Sequence, residues 1–426
     1  MIATTIKIFI GLTEIAGYYG NLKRGFQEIG IECTFIDLSS HPFEYNRDDK
    51  PNILVQIYKW NLRQMKKANY KIIKAPFFVS NKILMIPIFI WTLYHFNVFI
   101  FAFGHSFFRN HDLPLLKFFN KKVLFIFNGS DERPPYIDGS RHNLTPDDYK
   151  KISRKIKSNI VAIERYADCI LTNPASAHYH IKKCGNICSI GLPFESSVKG
   201  INHQIGDHDH VQILHSPSDP IGKGSDHIRN SIHILKKKGY NINYIEITGK
   251  PHHQVIEELQ KCDVIIDQVY SDQPMASFAT EAAWFGKPAV VGGYYTDHIH
   301  NDFTQKHIPP SLFCHPDEIT TAIERLIVDE EFRLALGQKA QEFVRTQRTP
   351  ELVARRYLQI IEGTILEEHM FDPNTILYIQ GYGMPESQSK EIIRNMIEHY
   401  GIESLCLSDK PKLEQRFMEY AYDIRE

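Results

Sequence analysis

The stretch from Pro51 to His111 contains no aspartate and no glutamate, yet it holds Lys59, Arg63, Lys66, Lys67, Lys71, Lys74, Lys82 and Arg109. The whole chain has a formal net charge of only −1, so the compensating acids lie elsewhere. Tyr58, Trp60, Tyr70, Phe77 and Phe78 are interleaved with the cations. Such a pattern suits either an anionic membrane surface or a solvated basic face over an ordinary core. On the first reading, Lys59, Arg63, Lys66, Lys67 and Lys71 are the candidate contacts. A long uninterrupted apolar run is also missing. Residues 83–103 come nearest, but Pro87, His95 and Asn97 break them, which predicts a buried helix to Phe96 and then a strand, Val98–Phe103, rather than a membrane span. The seven cysteines are scattered and odd in number, and Cys184-x3-Cys188 has no second pair, which points to packing rather than zinc. No secretory leader precedes Ile6, so the expected setting is reduced and cytoplasmic, peripheral to the inner face of a membrane if the basic stretch binds one. The near-zero net charge gives no bias toward nucleic acid.

What is present is the composition of a globular chain of 426 residues, 43% hydrophobic and 23% charged, long enough for two domains. Residues 211–293 read as alternating strands and helices. Val211–Leu214 is a strand ending at His215-Ser216-Pro217, and a polar loop then reaches Lys223-Gly224-Ser225 and a helix. Tyr244–Ile247 is a second strand, closed by Thr248-Gly249-Lys250-Pro251-His252. Asp263–Gln268 is a third. After another polar loop, Ser277–Gly286 reads as a helix stopped by Lys287-Pro288. Strands of this kind open their C-terminal ends to ligands. Backbone N–H groups at the helix starts favour anions, and Lys223 adds a mobile charge. Glu281 lies one turn past Ser277, on the same helix face. Its carboxylate either accepts ribose hydroxyls or complements the helix dipole.

These pieces resemble the C-terminal half of a GT-B glycosyltransferase, close to the retaining family 4. The resemblance rests on His215-Ser-Pro with Lys223-Gly224, on Asp263-Val-Ile-Ile-Asp-Gln268, and on Glu281-Ala-Ala-Trp-Phe-Gly-Lys-Pro288, which is similar to that family's Glu-Ala-x-x-x-Gly-x-Pro box. It implies an α/β architecture of two Rossmann-like domains facing a cleft. It also implies that Glu281 binds the donor ribose and Lys223 the diphosphate, with Ser216, Gly249, Pro251, His252 and Ser277 as further donor-binding candidates. The second glutamate of the family's box, eight residues upstream, is here Gln273, which can hydrogen-bond a sugar hydroxyl without charge.

The N-terminal half begins with the strand Ile6–Ile10 and the loop Gly17-Tyr-Tyr-Gly20, then a helix and the strand Ile31–Ile36. The loop is not the dinucleotide fingerprint. Gly17 and Gly20 either allow close approach to a donor phosphate or simply make a turn. The strand Val98–Phe103 ends at Gly104-His105-Ser106, and GT-B enzymes often have a histidine there near the donor sugar. Lys122–Phe127 ends at Asn128-Gly-Ser-Asp-Glu-Arg133, where Asp131 either contacts the acceptor or caps the turn. Strands at Asp168–Asn173 and Ile187–Gly191 complete the domain. The expected organisation is therefore an acceptor domain, 1–196, a linker, 197–210, a nucleotide-sugar domain, 211–362, ending in helices 316–328, 330–346 and 350–362, and a small βαβα extension, 363–426. Asp207-x-Asp209 precedes a strand instead of following one, which argues against a metal motif.

The reading is hexosyl transfer from a nucleotide sugar to a hydroxyl of a glycan or lipid-linked acceptor, of the kind polysaccharide biosynthesis uses. His105, Lys223 and Asp131 are the candidate catalytic groups, and no metal or other cofactor is expected. Retention is implied by the resemblance alone. A non-catalytic GT-B-like binder of sugar nucleotides or glycans, or an epimerase of the same fold, are the alternatives.

Overall fold

The computed structural model describes residues 5–38, 52–67, 70–195 and 209–424, with the side chains of 71–73 left aside. Most of the expected linker, including Asp207, lies outside the described residues. The chain divides into two compact units, each assembled from several stretches. The first takes residues up to Phe127, Val161–Leu171 and Pro350–Ile365; the second takes Asn128–Ile160, Thr172–Thr349 and the chain from Leu366 onward.

In the first unit, β1 (Lys7–Leu12), β2 (Glu32–Asp37), β3 (Val98–Ala102), β4 (Lys122–Ile126) and β5 (Cys169–Thr172) run parallel in the order β2-β1-β3-β4-β5. The central strands are buried on both faces, as continuous apolar runs such as Val-Phe-Ile-Phe-Ala require. Helix α1 (Tyr18–Glu28) follows β1. Then come α2 (Ile53–Lys67), α3 (Lys71–His95) and α4 (Leu113–Phe118). Helix α5 (Pro146–Tyr166) ends in this unit. The α3 segment differs from the expected buried helix. One face is buried (Ile88, Phe89, Leu93), but Phe78, Val79, Ile83, Ile86, Ile90 and Tyr94 are exposed.

The second unit contains a parallel sheet of β7 (Val211–His215), β8 (Ile242–Glu246), β9 (Val264–Ile266), β10 (Ala289–Gly292) and β11 (Leu312–Cys314), in the order β11-β10-β9-β7-β8. Alternate strand residues supply its two faces. Ile213, Val264, Ile266 and Val290 pack with Ile228, Ile232 and Leu235 of α7 (Ser225–Lys237) and with Ile319, Ile323 and Leu326 of α11 (Ile319–Val328). Leu214, Ile265 and Val291 pack with α8 (His252–Lys261), α9 (Ser277–Trp284) and α12 (Glu330–Gln347). On α9 the small residues Ala279, Ala282 and Ala283 are all buried in that face. A two-residue strand β12 (Met370–Phe371) pairs antiparallel with β6 (Cys184–Asn186).

Three expected elements differ in form or in the unit they join. Residues 187–190 make a short helix, α6, because the Asn186 side chain accepts from the Cys188 N–H at 3.1 Å and turns the chain. The helix expected at 350–362 is α13 (Pro350–Glu362). It packs against α1 of the first unit, with the Tyr18 and Tyr357 hydroxyls 2.6 Å apart. The C-terminal segment has its two helices, α14 (Glu386–Tyr400) and α15 (Pro411–Ala421), but neither expected strand. Residues 376–379 are extended without a ladder, and 402–405 form a 3-10 turn. Side chains take over the backbone groups that a strand partner would have satisfied. His178 Nε2 lies 2.7 Å from the Tyr378 carbonyl, while the Tyr136 and Tyr179 hydroxyls both donate to the Leu405 carbonyl at 3.1 Å. Four apolar residues in a row fit a buried extended segment as well as a strand. Among the described residues, α10 (Ile299–Asp302) completes the α-helices.

Candidate functional site

The C-terminal edge of the second sheet carries the expected donor residues other than Gly17 and Gly20. Ser216 follows β7, and its hydroxyl donates to the Ile247 carbonyl at 3.2 Å, tying the β7 and β8 loops together. Gly224, at φ 70°, starts α7 with the left-handed backbone that glycine accepts at low cost; a Cβ there would meet Val269 at 2.8 Å. This close approach sets Lys223 over the end of β9. Its Nζ pairs with Asp267 Oδ1 at 3.0 Å, and the Asp267 charge raises the lysine pKa against the opposing effect of burial. The lysine is therefore not the mobile point charge the sequence suggests. It is a buried group matched to a carboxylate, and Asp267 Oδ2 has no hydrogen-bond partner.

On the next loop, Gly249 is exposed at φ 66° and Pro251 precedes α8. His252, the first residue of α8, places Nε2 2.9 Å from Glu281 Oε1. That bond raises the histidine pKa, against desolvation. Glu281 is 8% exposed on α9, so its carboxylate is oriented by His252 before any ligand arrives. Ser277 opens α9 and is exposed. Gln273 is half-buried and its side-chain oxygen accepts from the Cys188 thiol at 3.5 Å.

Sequence reasoning missed the groups around Lys223. Arg133 is 4% exposed and forms ion pairs with Asp272 and, at 3.6 Å, with Asp138. Its guanidinium lies 4.8 Å from the centre of the Tyr382 ring. The Tyr382 hydroxyl donates to Gln268 Oε1 at 3.3 Å, and the Gly383 N–H donates to the Tyr270 carbonyl at 2.8 Å. The loop 381–383 thus sits on the same strand end as Lys223. Two signals were available: Arg133 ends the Asn128–Arg133 run, and Tyr382 stands between two glycines. Asp131, in that run, accepts from the Asn128 N–H at 2.9 Å and so caps the turn. Burial, and then the neighbouring Glu132, push its pKa up to about 7. Glu132 itself is fully buried beside His180, at 2.9 Å.

In the first unit, His105 is exposed after β3 on a loop stapled by Asn110, which donates to the Gly104 carbonyl at 3.0 Å and accepts from the Ser106 N–H at 2.8 Å. Gly17 caps α1 at φ 77°. The loop at which a donor phosphate was expected to approach already holds an anion. Glu14 accepts from Ile15 at 2.8 Å and Tyr19 at 3.2 Å through Oε1, and from Gly20 at 2.9 Å through Oε2. The Gly20 N–H is therefore committed within the chain. Burial nevertheless raises the Glu14 pKa to about 7, against the three backbone bonds.

A cavity of about 530 Å³ lies beside β8 and α8, lined by Glu246, Ile247, Thr248, Lys250, Gln254, Glu257 and Glu258. Three carboxylates against one lysine disfavour a diphosphate there, and none of the expected donor residues lines it. Among the described residues, His307, Glu368 and His369 bring ligand atoms within 4.8 Å of one another, with Glu368 also paired to Lys306 at 2.8 Å. None of these belongs to the donor set.

No protein-family model and no curated sequence matches the chain. Solved structures do. The catalytic domain of starch synthase IV from Arabidopsis thaliana, solved with ADP and acarbose, matches with a TM-score of 0.50 at 10% identity, over 85% of this chain and 99% of that one. Anabaena HepE with UDP-glucose matches at 0.45 and 10%, over 84% and 98%. S. aureus MnaA with UDP matches at 0.41 and 13%, over 84% and 98%. At such identities the likeness is one of fold. The fold class is α/β, with two parallel-sheet Rossmann-like domains. It is the GT-B fold.

Proposed function

We propose that this protein is a glycosyltransferase that moves a hexosyl group from a nucleoside-diphosphate sugar to a hydroxyl of a glycan or lipid-linked acceptor, with retention and without a metal. The observation that carries the reading is the grouping of Lys223, His252 and Glu281 on loops and a helix at one edge of one parallel sheet. Glu281, held by His252, accepts ribose hydroxyls. Lys223 shares its charge between Asp267 and the diphosphate, which gains negative charge as the anomeric C–O bond breaks. The acceptor oxygen bonds to the anomeric carbon, and its proton passes to the leaving diphosphate or to Asp131. Gln273 contributes neutral hydrogen bonds to the sugar. His105 is the remaining candidate for a sugar contact.

A second reading, a non-catalytic sugar-nucleotide or glycan binder, draws support from the commitment of Lys223 to Asp267 and of the α1 amides to Glu14. Incubating the full chain with UDP-, ADP- and GDP-sugars separates the readings. Slow release of free sugar, together with thermal stabilisation by the matching nucleotide, supports the transferase. Stabilisation without any release supports the binder. Conversion to an epimeric nucleotide sugar without acceptor identifies an epimerase. Neither stabilisation nor turnover with any donor removes the site.

A further inference from the structure

We infer that the paired helices α2 and α3 form a docking face for an anionic lipid leaflet, with α3 lying in the plane of the interface. On α3 the exposed side chains Val79, Ile83, Ile86, Ile90 and Tyr94 recur every three or four residues, which places them on one helical stripe, with Phe78 beside it. On α2 the exposed Ile53, Ile57 and Trp60 make a second stripe. It is followed at the C-terminal end by Arg63, Lys66 and Lys67, all exposed. The helices are joined to each other by Asn61, which donates to Ser80 at 3.0 Å, and by the Trp60 and Phe77 rings, 5.9 Å apart. The apolar stripes and the cationic end are thus carried by two helices packed against each other.

Three observations select the occupant. The first is charge: eight cations and no acid occur between Pro51 and His111. A second copy of the chain docking symmetrically here would set cations against cations, whereas anionic headgroups complement them. The second is exposure. Residues 74–95 are long and apolar enough to cross a membrane, yet only 28% of their most apolar window is buried. Patches of this kind mark interaction surfaces. The third is attachment. The opposite face of α3 is fixed to its own unit, where Phe89 meets Phe107 at 5.2 Å and Phe108 at 5.5 Å, and Ile88 and Leu93 are buried. A helix held along one side by the protein cannot be surrounded by lipid, so it lies on the membrane rather than through it. The inference does not depend on the transferase reading.

Cosedimentation of the full chain with vesicles tests it, using phosphatidylglycerol–phosphatidylcholine mixtures and phosphatidylcholine alone, at low and high salt. The wild type should bind the anionic vesicles at low salt and release at high salt. The variant Arg63→Gln/Lys66→Gln/Lys67→Gln should bind them on the order of 100-fold more weakly at low salt, from about a fivefold contribution per cation. The variant Ile83→Ser/Ile86→Ser/Ile90→Ser should lose binding by more than about tenfold while keeping the wild-type melting profile, because it alters only exposed positions. Four results would each overturn the proposal: no binding at low salt, equal binding to both vesicle types, resistance to alkaline carbonate extraction, or a wild-type dimer that the triple serine variant converts to monomer.

Discussion

At the scale of single residues, the sequence showed which side chains would gather at the sheet edge but not how they would be paired. Glu281 and Lys223 were legible because they sit in a spaced motif. Their partners His252 and Asp267 were read as ligand contacts or strand ends, since pairing across 29 and 44 positions leaves no local signature. Glu281→Ala should raise the dissociation constant for the nucleotide by roughly 10–100-fold, the loss of a charged hydrogen bond of about 1.5–3 kcal/mol, in a calorimetric titration. Lys223→Ala leaves Asp267 buried and alone, so it should destabilise by about 3–5 kcal/mol in addition to lowering turnover. Adding Asp267→Asn should restore most of the stability but not the turnover, a split that denaturant melts and steady-state rates read separately. Glu14 makes a pH prediction. Its folded pKa, about 7, lies above the ordinary 4.5, so the folded state binds the extra proton. Its contribution is complete below pH 4.5 and declines as pH rises to about 7, by on the order of 3 kcal/mol. Glu14→Gln should flatten that part of the stability–pH curve; an unchanged slope would assign the dependence to other groups, Asp131 first.

At the scale of elements, strands and helices with strong periodicity were legible, and short apolar runs were not. Residues 376–379 and 404–407 look like strands in sequence, but nothing in four residues says whether a carbonyl will meet a strand or a tyrosine. The same ambiguity hid the exposed face of α3, because an apolar run reads alike whether its helix is covered on every side or on one. Packing between α1 and α13 offers a test of one contact. A Cβ on Gly25 would lie 2.0 Å from the Pro350 carbonyl oxygen, with backbone rather than a movable side chain in its way. Gly25→Ala should therefore cost about 1–3 kcal/mol by overpacking, despite the better helix propensity of alanine. A neutral or stabilising result in a denaturant melt would show that α13 shifts freely along α1.

At the scale of the whole molecule, two α/β bodies were legible from the order of strands and helices, and the route of the chain through them was not. Contacts such as Tyr18 with Tyr357 join residues 339 positions apart, and no local pattern encodes them. That interleaving governs synthesis. On a ribosome the strands β1 to β4 and α1 emerge long before Pro350–Glu362, the helix that covers Phe26 and Gly25 of α1. The second unit, for its part, needs residues beyond Leu366. The first body waits for Pro350–Ile365 and the second for the chain beyond Leu366, so both finish late in synthesis instead of one domain after the other. A chain halted near residue 196 should remain protease-sensitive and prone to aggregate, and a peptide spanning 348–365 supplied separately should protect it.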